Sequence, residues 1–179
     1  MMSSQSEFGQ LLREQIGNEL YASQQYIVIA IYYDSQKLPQ LARHFYAQAV
    51  EERNHAMMIV QHFLDRDVVA PIPAIDEPVS DFDDYIAPLT LALGHEKKVT
   101  DQIVALAKSA RDEGDYLGEQ FMQWFLKEQV EEVAAMNTLR TVATRNGGTL
   151  FDLEDFVSRE MAPVTGADTT APAAAGGKL

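Results

Sequence analysis

Residues 51–55 read Glu-Glu-Arg-Asn-His and lie in the middle of a long segment with helical periodicity. Glu52 falls on an apolar stripe that includes Phe45 and Ile59, so a helix would point this carboxylate inward. His55, three residues later, lies on the same face about one turn away. Because a buried, unpaired carboxylate is strongly unfavourable, the stretch predicts a compensating partner inside the fold. A metal ion is the simplest candidate.

Four long segments carry apolar stripes of this kind, and a fifth, shorter one follows them. The predicted helices run from a capping box at Ser4–Glu7 to near Gln36, from Pro39 to about Arg66, from Ser80 with Asp83 to Gly114, from an Asp115 cap to Asn146, and from Thr149 to about Met161. The short first connection makes helices one and two antiparallel.

The segment between helices two and three, residues 67–80, contains three prolines and cannot be regular helix. It is long enough to run the length of the bundle, so the third helix starts at the opposite end. The sequence therefore predicts an all-α four-helix bundle with a long crossover between helices two and three and a short fifth C-terminal helix. Residues 1–161 would form this domain, and residues 162–179 a flexible tail rich in Ala, Gly and Pro.

The amino-acid composition limits the ligands that a metal site could use and the partners that the protein could bind. The 179 residues include no cysteine and carry a net charge of -13. A metal site must therefore use carboxylate, imidazole or amide ligands, which favours iron, manganese or magnesium over structural zinc. The acidic balance argues against a nucleic-acid partner. Since no apolar run of membrane-spanning length and no signal pattern is present, we expect a cytoplasmic protein with no membrane partner.

Each of the four long helices carries a polar residue at mid-length on its apolar stripe, and two helices carry a second one three residues later. In chain order they are Glu19, Glu52 with His55, Glu96, and Gln129 with Glu132. The spacing is 33 residues within each helix pair, and the two pairs repeat at an offset of 77. Taken singly, each residue is more often a core polar group or part of a solvated face. The equal spacing argues against that explanation and indicates an approximate two-fold axis through a shared site.

Ferritin-like di-iron proteins use this arrangement, with one Glu from each of two helices and Glu-x-x-His from each of the others. Carboxylates are hard oxygen donors that bridge two cations. Two irons held roughly 3.5–4 Å apart can each give one electron to a dioxygen bound between them.

The motifs Asn18-Glu19-Leu20-Tyr21, Glu51-Glu52-x-x-His55 and Glu-Gln-Val-Glu-Glu at 128–132 resemble those of non-haem bacterial ferritins, in particular the actinobacterial type. The resemblance extends from Ser6 to Met161. It implies an iron-storage ferritin that oxidises Fe(II) to Fe(III) with O2 or H2O2 at an intrasubunit di-iron centre. Ferric mineral would be stored inside a homo-oligomeric shell of 24 subunits.

The same resemblance assigns roles to individual residues. Glu19, Glu52 and His55 would hold one iron, and Glu52 would bridge to a second iron held by Glu96 and Glu132, with Gln129 lining that site. A third iron site would use Glu51, Glu128 and Glu131, for which a solvated acidic face is the alternative. Tyr26 would lie near the irons and donate a hydrogen bond or an electron, and a core aromatic is the alternative. The same two interpretations apply to Trp124.

Two departures from related families narrow the subtype. Gln129-x-x-Glu132 replaces Glu-x-x-His, which argues against bacterioferritins and di-iron oxygenases. Arg53 stands where bacterioferritins have a haem-ligating methionine, so no haem is expected. Glu119 and Met122 correspond to ion-channel positions of the family. Two rival functions remain open: a di-iron oxygenase or peroxidase acting on an organic substrate, and a cage component or metal buffer without redox activity.

Overall fold

Five α-helices form the regular structure of residues 6–69, 72–145, 149–161 and 168–179, the part of the chain that the computed structural model describes. Their bounds are α1 Glu7–Ser35, α2 Pro39–Leu64, α3 Ala87–Asp112, α4 Tyr116–Ala143 and α5 Leu150–Glu160. The predicted all-α bundle with a long crossover and a short fifth helix is confirmed. None of these helices is long and apolar enough to cross a bilayer.

The helix ends have local causes. The Ser6 side chain caps α1 by accepting a hydrogen bond from the Gly9 amide, whereas the predicted cap at Ser4 lies outside the described residues. The Asp115 side chain caps α4 as predicted, by accepting from the Gly118 amide. Gly114 precedes it with a φ of 71°, a left-handed conformation that glycine adopts without strain.

The predicted start of α3 at Ser80 is wrong, because the helix begins seven residues later at Ala87. Asp84 Oδ1 accepts hydrogen bonds from the amides of Ile86 and Ala87, both at 2.8 Å. Pro88 then lies in the first turn, where its missing N–H leaves no hydrogen bond unmade. The residues before Ala87 therefore belong to the crossover.

The crossover lies against α1 and is fixed there at two points. The Gln25 side-chain amide donates to the Val79 carbonyl and accepts from the Val79 amide, both at 2.8 Å. Further along, a Cβ atom on Gly17 would lie 2.8 Å from Pro73 Cγ. The absence of a side chain at Gly17 therefore lets the crossover approach the helix.

Two apolar clusters occupy the two ends of the bundle. One contains Tyr26, Tyr33 and Phe45 with residues of α3, α4 and α5. The other contains Phe8 and Phe125 with residues of α2 and α3. Along each long helix the inward polar positions lie between the segments that enter these clusters. The fold thus places those polar side chains at mid-bundle, with apolar packing on either side.

Residues 168–179 lie against α2 and α4. Ala175 is buried, and its amide donates to the Met57 carbonyl at 3.0 Å. The Leu179 amide donates to Asn54 Oδ1 at 3.2 Å. Residues 162–167 lie outside the described part of the chain, so the division into a domain at 1–161 and a flexible tail at 162–179 stays a prediction.

Candidate metal centre

Six polar side chains converge at mid-bundle, and each is at most 6% exposed. They are the predicted residues Glu19 from α1, Glu52 and His55 from α2, Glu96 from α3, and Gln129 and Glu132 from α4. The structure thus brings together all six positions that the 33- and 77-residue spacing singled out.

One half of the centre consists of Glu19, Glu52 and His55, whose possible ligand atoms all lie within 4.8 Å of one another. His55 Nδ1 is 3.4 Å from Glu52 Oε2 and 4.0 Å from Glu19 Oε2. The Gln15 amide donates to Glu19 Oε1 at 2.8 Å and in turn accepts from the Asn18 amide at 3.1 Å. One oxygen of Glu19 is therefore fixed, and the other points into the centre.

The other half consists of Glu52, Glu96 and Glu132, again with ligand atoms within 4.8 Å of one another. Glu52 belongs to both halves, as a bridging ligand must. Gln129 Nε2 donates to Glu132 Oε2 at 2.5 Å, and Gln129 Oε1 accepts from the Thr100 hydroxyl at 2.9 Å. Thr100 therefore fixes the orientation of the amide that holds Glu132.

Three buried carboxylate oxygens at this centre have no hydrogen-bond partner among the residues that the structure describes: Glu19 Oε2, Glu52 Oε1 and Glu132 Oε1. An unpaired carboxylate oxygen away from water is costly. Divalent cations compensate such a set directly, and oxygen donors with one imidazole suit iron and similar metals. The donor set therefore fits a pair of metal ions.

Electrostatics at the centre favour protonated carboxyl groups in the absence of metal. Burial, followed by the charges of Glu132, Glu96 and Glu19, raises the pKa of Glu52 well above its usual value. Burial with Glu96 and Glu19 does the same to the pKa of Glu132. Burial raises the pKa of Glu96 to about 7, although a hydrogen bond from Tyr26 opposes this shift. Metal binding must therefore displace protons.

His55 is held in its metal-binding form. Burial lowers its pKa, against the opposing charge of Glu19. The imidazole is therefore neutral at physiological pH and offers a lone pair to a metal ion.

Tyr26 is fully buried, and its hydroxyl donates a hydrogen bond to Glu96 Oε1. Its ring lies 5.6 Å from that of Phe45. Burial and the charges of Glu96 and Glu52 raise the pKa of Tyr26 well above its usual value. Tyr26 is thus a neutral donor that holds one ligand of the centre, and it is also a core aromatic.

Trp124 lies on α4, beside His55. The Trp124 and His55 ring centroids are 5.5 Å apart at 71°. Its indole N–H donates to Asp168 Oδ2 at 3.0 Å. Trp124 therefore contacts both a candidate ligand and the C-terminal residues.

The three predicted third-site carboxylates lie at the edge of the centre. Glu51 and Glu131 are exposed, and Glu128 is partly buried. Partial burial of its carboxylate raises the pKa of Glu51, and the charge of Glu128 raises this pKa further. Within the described ranges, possible ligand atoms of Glu128, His55 and Glu132 also lie within 4.8 Å of one another. The assignment of Glu51, Glu128 and Glu131 to a third iron stays a prediction.

The two channel positions have different surroundings. Glu119 accepts hydrogen bonds from Arg111 at 2.8 Å and 2.5 Å near the surface. Met122 is fully buried inside the bundle. Its side chain belongs to the apolar cluster around Phe125, and the correspondence of Glu119 and Met122 to channel positions stays a prediction.

Gln15 and Thr100 are the functional residues that the sequence did not single out. Gln15 precedes Glu19 by four residues, and Thr100 follows Glu96 by four. Each therefore shares a helix face with a predicted ligand. That spacing was the available signal, although it does not reveal which amide or hydroxyl turns toward the centre.

The comparisons with known proteins agree with this geometry. The family described as Ferritin-like domain matches residues 9–145. Ferritin BfrB of Mycolicibacterium smegmatis is 62% identical over 174 residues, covering 97% of this chain and 96% of the relative. A bacterial non-heme ferritin of Staphylococcus aureus is 35% identical over 136 residues, covering 76% and 82%. An open pore ferritin from Archaeoglobus fulgidus superposes with a TM-score of 0.81 at 30% identity, covering 88% of this chain and 99% of that one.

Proposed function

The chain belongs to the ferritin family, and from this we propose that it stores iron after oxidising ferrous ions at the four-helix centre. The observation that carries the proposal is the set of three buried carboxylate oxygens without hydrogen-bond partners, at Glu19, Glu52 and Glu132. Because no donor from the described residues balances these buried oxygens, a pair of cations is the natural partner.

In this proposal Glu52 bridges two ferrous ions. Glu19 and His55 complete one position, and Glu96 and Glu132 complete the other. Two ferrous ions together supply the two electrons that reduce O2, with two protons, to H2O2. The carboxyl groups that are protonated without metal release their protons when iron binds.

Neighbouring residues hold these ligands in place. Gln15 fixes one oxygen of Glu19, and Tyr26 fixes one oxygen of Glu96. Thr100 orients Gln129, which in turn holds Glu132. Such outer contacts raise metal affinity because the ligands do not need to reorganise when the ion arrives. We assign Tyr26 this positioning role, with electron donation as the further possibility to be tested.

We propose that the ferric product is stored in a 24-subunit shell in the cytoplasm, and that Glu51, Glu128 and Glu131 lie on the path of iron away from the centre.

Arg53 cannot replace the haem-ligating methionine of bacterioferritins, so the purified protein should show no haem absorption band.

The test is rapid ferrous oxidation by the Glu52→Ala and His55→Ala variants. Both should reduce the fast phase to the uncatalysed background, because each removes a ligand of the pair. Glu14→Ala, an exposed acid on α1, is the matched control and should oxidise iron at the wild-type rate. Size-exclusion chromatography checks that all three variants assemble. Unchanged oxidation in both site variants would overturn the assignment.

A further inference from the structure

Residues 168–179, here called the C-terminal strap, are attached beside the metal centre at three points. Asp168 accepts from the Trp124 indole, the Ala175 amide donates to Met57, and the Leu179 amide donates to Asn54. Between these points, Ala171 and Ala174 pack against the apolar cluster that contains Phe8 and Phe125. The strap is therefore seated on the bundle along its length.

Two glycines turn the end of the strap back toward the bundle. Gly176 and Gly177 have φ angles of 77° and 82°, which L side chains rarely adopt. The Gly177 amide closes the turn by donating to the Ala174 carbonyl at 2.9 Å. The turn directs Lys178 and Leu179 to Asn54, the residue that precedes His55.

Lys178 is thus brought to the edge of the centre, and its charge acts on two groups there. The pKa of His55 is lowered by burial and further lowered by Lys178, against the opposing effect of Glu19. The pKa of Glu128 is raised by burial and by the charges of Glu131 and Asp168, while the charges of Lys127 and, to a smaller extent, Lys178 oppose that rise. The ammonium therefore partly balances the acidic edge of the centre.

The same edge holds a third cluster of possible ligands. His55, Glu128 and Glu132 offer ligand atoms that lie within 4.8 Å of one another. Glu132 is 6% exposed, and its Oε1 is buried without a hydrogen-bond partner. His55 and Glu132 also belong to the paired positions, whereas Glu128 is partly exposed on the side where the strap lies. This third position therefore connects the centre with the surface under the strap.

We propose that Lys178 is an intramolecular counter-ion for a third cation position formed by His55, Glu128 and Glu132, and that a metal ion entering this position displaces the ammonium and loosens the strap. The inference rests on the proposed function, since it concerns ions that pass through the same centre. The strap then regulates how readily an ion leaves the pair for the third position.

Zn²⁺ binding to the full-length, metal-free protein tests this inference without any oxidation step. Wild type should bind two ions tightly and a third more weakly, and Glu128→Gln should lose the third. Lys178→Ala should tighten the third step by roughly two- to fivefold, the size expected for a partly exposed charge pair. Lys178→Arg should restore the wild-type value, and the effect should shrink at high salt. Lys108→Ala, which removes an exposed charge on α3, is the matched control.

The fluorescence of Trp124, the only tryptophan in the chain, gives a second readout, because its indole is bound to the strap. In wild type the third Zn²⁺ should change the emission as the strap loosens. Asp168→Ala should show an altered emission before any metal is added and a smaller further change at the third ion. Emission that responds identically in both proteins would contradict the proposed strap movement.

The outcomes separate the two proposals. If wild type binds no tight pair of Zn²⁺ ions, the proposed centre itself is overturned. If the pair is retained but Lys178→Ala leaves the third step unchanged or weaker, only the role of the strap is overturned. A third step that persists in Glu128→Gln would place the third ion elsewhere and would also overturn the inference.

Discussion

Gln15 shows how an outer contact determines what a ligand can do. Its amide binds one oxygen of Glu19 at 2.8 Å, which leaves the other oxygen, buried and unpaired, facing the centre. Asn18 holds Gln15 in turn. Without this pair of contacts, Glu19 would be free to rotate both oxygens toward His55, and the geometry of the first metal position would no longer be set in advance.

We therefore expect Gln15→Leu, which keeps the side-chain volume but removes the donor, to lower the initial rate of ferrous oxidation about tenfold or more. Stopped-flow absorbance measures this rate. Zn²⁺ titration should show the first binding step weakened as well, which a purely structural role would not produce. Gln24→Leu, at an exposed position on the same helix, should leave both quantities unchanged. A wild-type rate of ferrous oxidation in Gln15→Leu would contradict the proposed role of Gln15 in positioning Glu19.

The raised carboxyl pKa values make the stability of the metal-free protein depend on pH. Burial raises the pKa of Glu96 to about 7 and the pKa of Glu52 and Glu132 well above their usual values. The folded chain therefore binds more protons than the unfolded chain above about pH 4.5, so this contribution to stability falls as pH rises. Burial also lowers the pKa of His44 and His62 to about 4. These histidines act oppositely, chiefly below about pH 7, where the unfolded imidazoles still bind protons.

Above about pH 6.5 the carboxyl effect outweighs that of the histidines, because the unfolded imidazoles progressively lose their protons there. We expect the free energy of unfolding of the metal-free protein to fall by at least about 1 kcal/mol per subunit between pH 6.5 and pH 8. Denaturant titrations in the presence of a chelator measure this change. Saturating Zn²⁺ should remove the fall, because the bound carboxylates carry no protons to lose. The Glu96→Gln variant should show a shallower decline, and a flat profile in the wild type would contradict the argument.

The candidate ligands could be predicted from the sequence because their positions follow from helical periodicity, which is a local property. Glu52 and His55 share a face whatever the helix packs against. Thr100 could not be chosen in the same way, since its hydroxyl binds both the Glu96 carbonyl and Gln129. Which polar neighbour of a ligand turns toward the centre depends on the packing of a second helix. The contact between Thr100 and Gln129 therefore could not be predicted until the packing of α3 against α4 was known.

At the scale of helices and connections, Gly17 and Gly94 form a matched pair on α1 and α3. A Cβ on Gly17 would lie 2.8 Å from Pro73 Cγ, whereas a Cβ on Gly94 would have no neighbour within 4 Å. Gly94→Ala should therefore raise the free energy of unfolding by about 0.5–1 kcal/mol, the usual gain in helix propensity. Gly17→Ala should lose this gain, because the added methyl group pushes the crossover away from α1.

Thermal and denaturant midpoints of the two variants, measured on the metal-free protein, test this contrast. Equal stabilisation by Gly17→Ala and Gly94→Ala would show that an added methyl group at position 17 does not clash with the crossover. That result would contradict the predicted contact between the crossover and α1, but it would not contradict the helix bounds.

Helix boundaries were predictable where a single residue type has one structural use. Asp115 and Gly114 mark the start of α4 because a cap and a left-handed turn favour these residues. The start of α3 was misplaced because Ser80 with Asp83 is also a capping pattern. The choice between it and Asp84 followed by Pro88 depends on how Phe82 packs against Tyr32, with ring centroids 5.2 Å apart. That contact lies between distant parts of the chain.

At the scale of the whole molecule, the described residues leave several large apolar side chains on the surface. Phe151 is 79% exposed, Tyr116 is 74% exposed and Val130 is 71% exposed. Contiguous exposed apolar patches commonly mark surfaces that other subunits cover, whereas single exposed apolar residues are ordinary. The most exposed aromatic side chain, Phe151, is therefore the position at which subunit contact is best tested. The family resemblance read from the motifs is confirmed by the Ferritin-like domain match and by the 62% identity to a ferritin.

We therefore expect the native mass to lie near 24 times the 20.0 kDa subunit mass. Light scattering coupled to size-exclusion chromatography measures it, and Phe151→Glu should lower the assembled fraction by placing a charge on a covered surface. Gln24→Glu introduces a charge at an exposed position on α1 and tests the general effect of charge. A monomeric or dimeric wild type would instead favour the oxygenase or peroxidase alternative.

The centre is divided between two helical hairpins, α1 with α2 and α3 with α4. Short connections let each hairpin form from contacts that are close in sequence. Each hairpin carries only two of the four central carboxylates, Glu19 with Glu52 and Glu96 with Glu132. The electrostatic cost of burying all four carboxyl groups together is therefore complete only when the two hairpins are docked. We expect that a metal ion bound at the proposed centre offsets this cost, so that metal binding also favours the docked arrangement of the two hairpins.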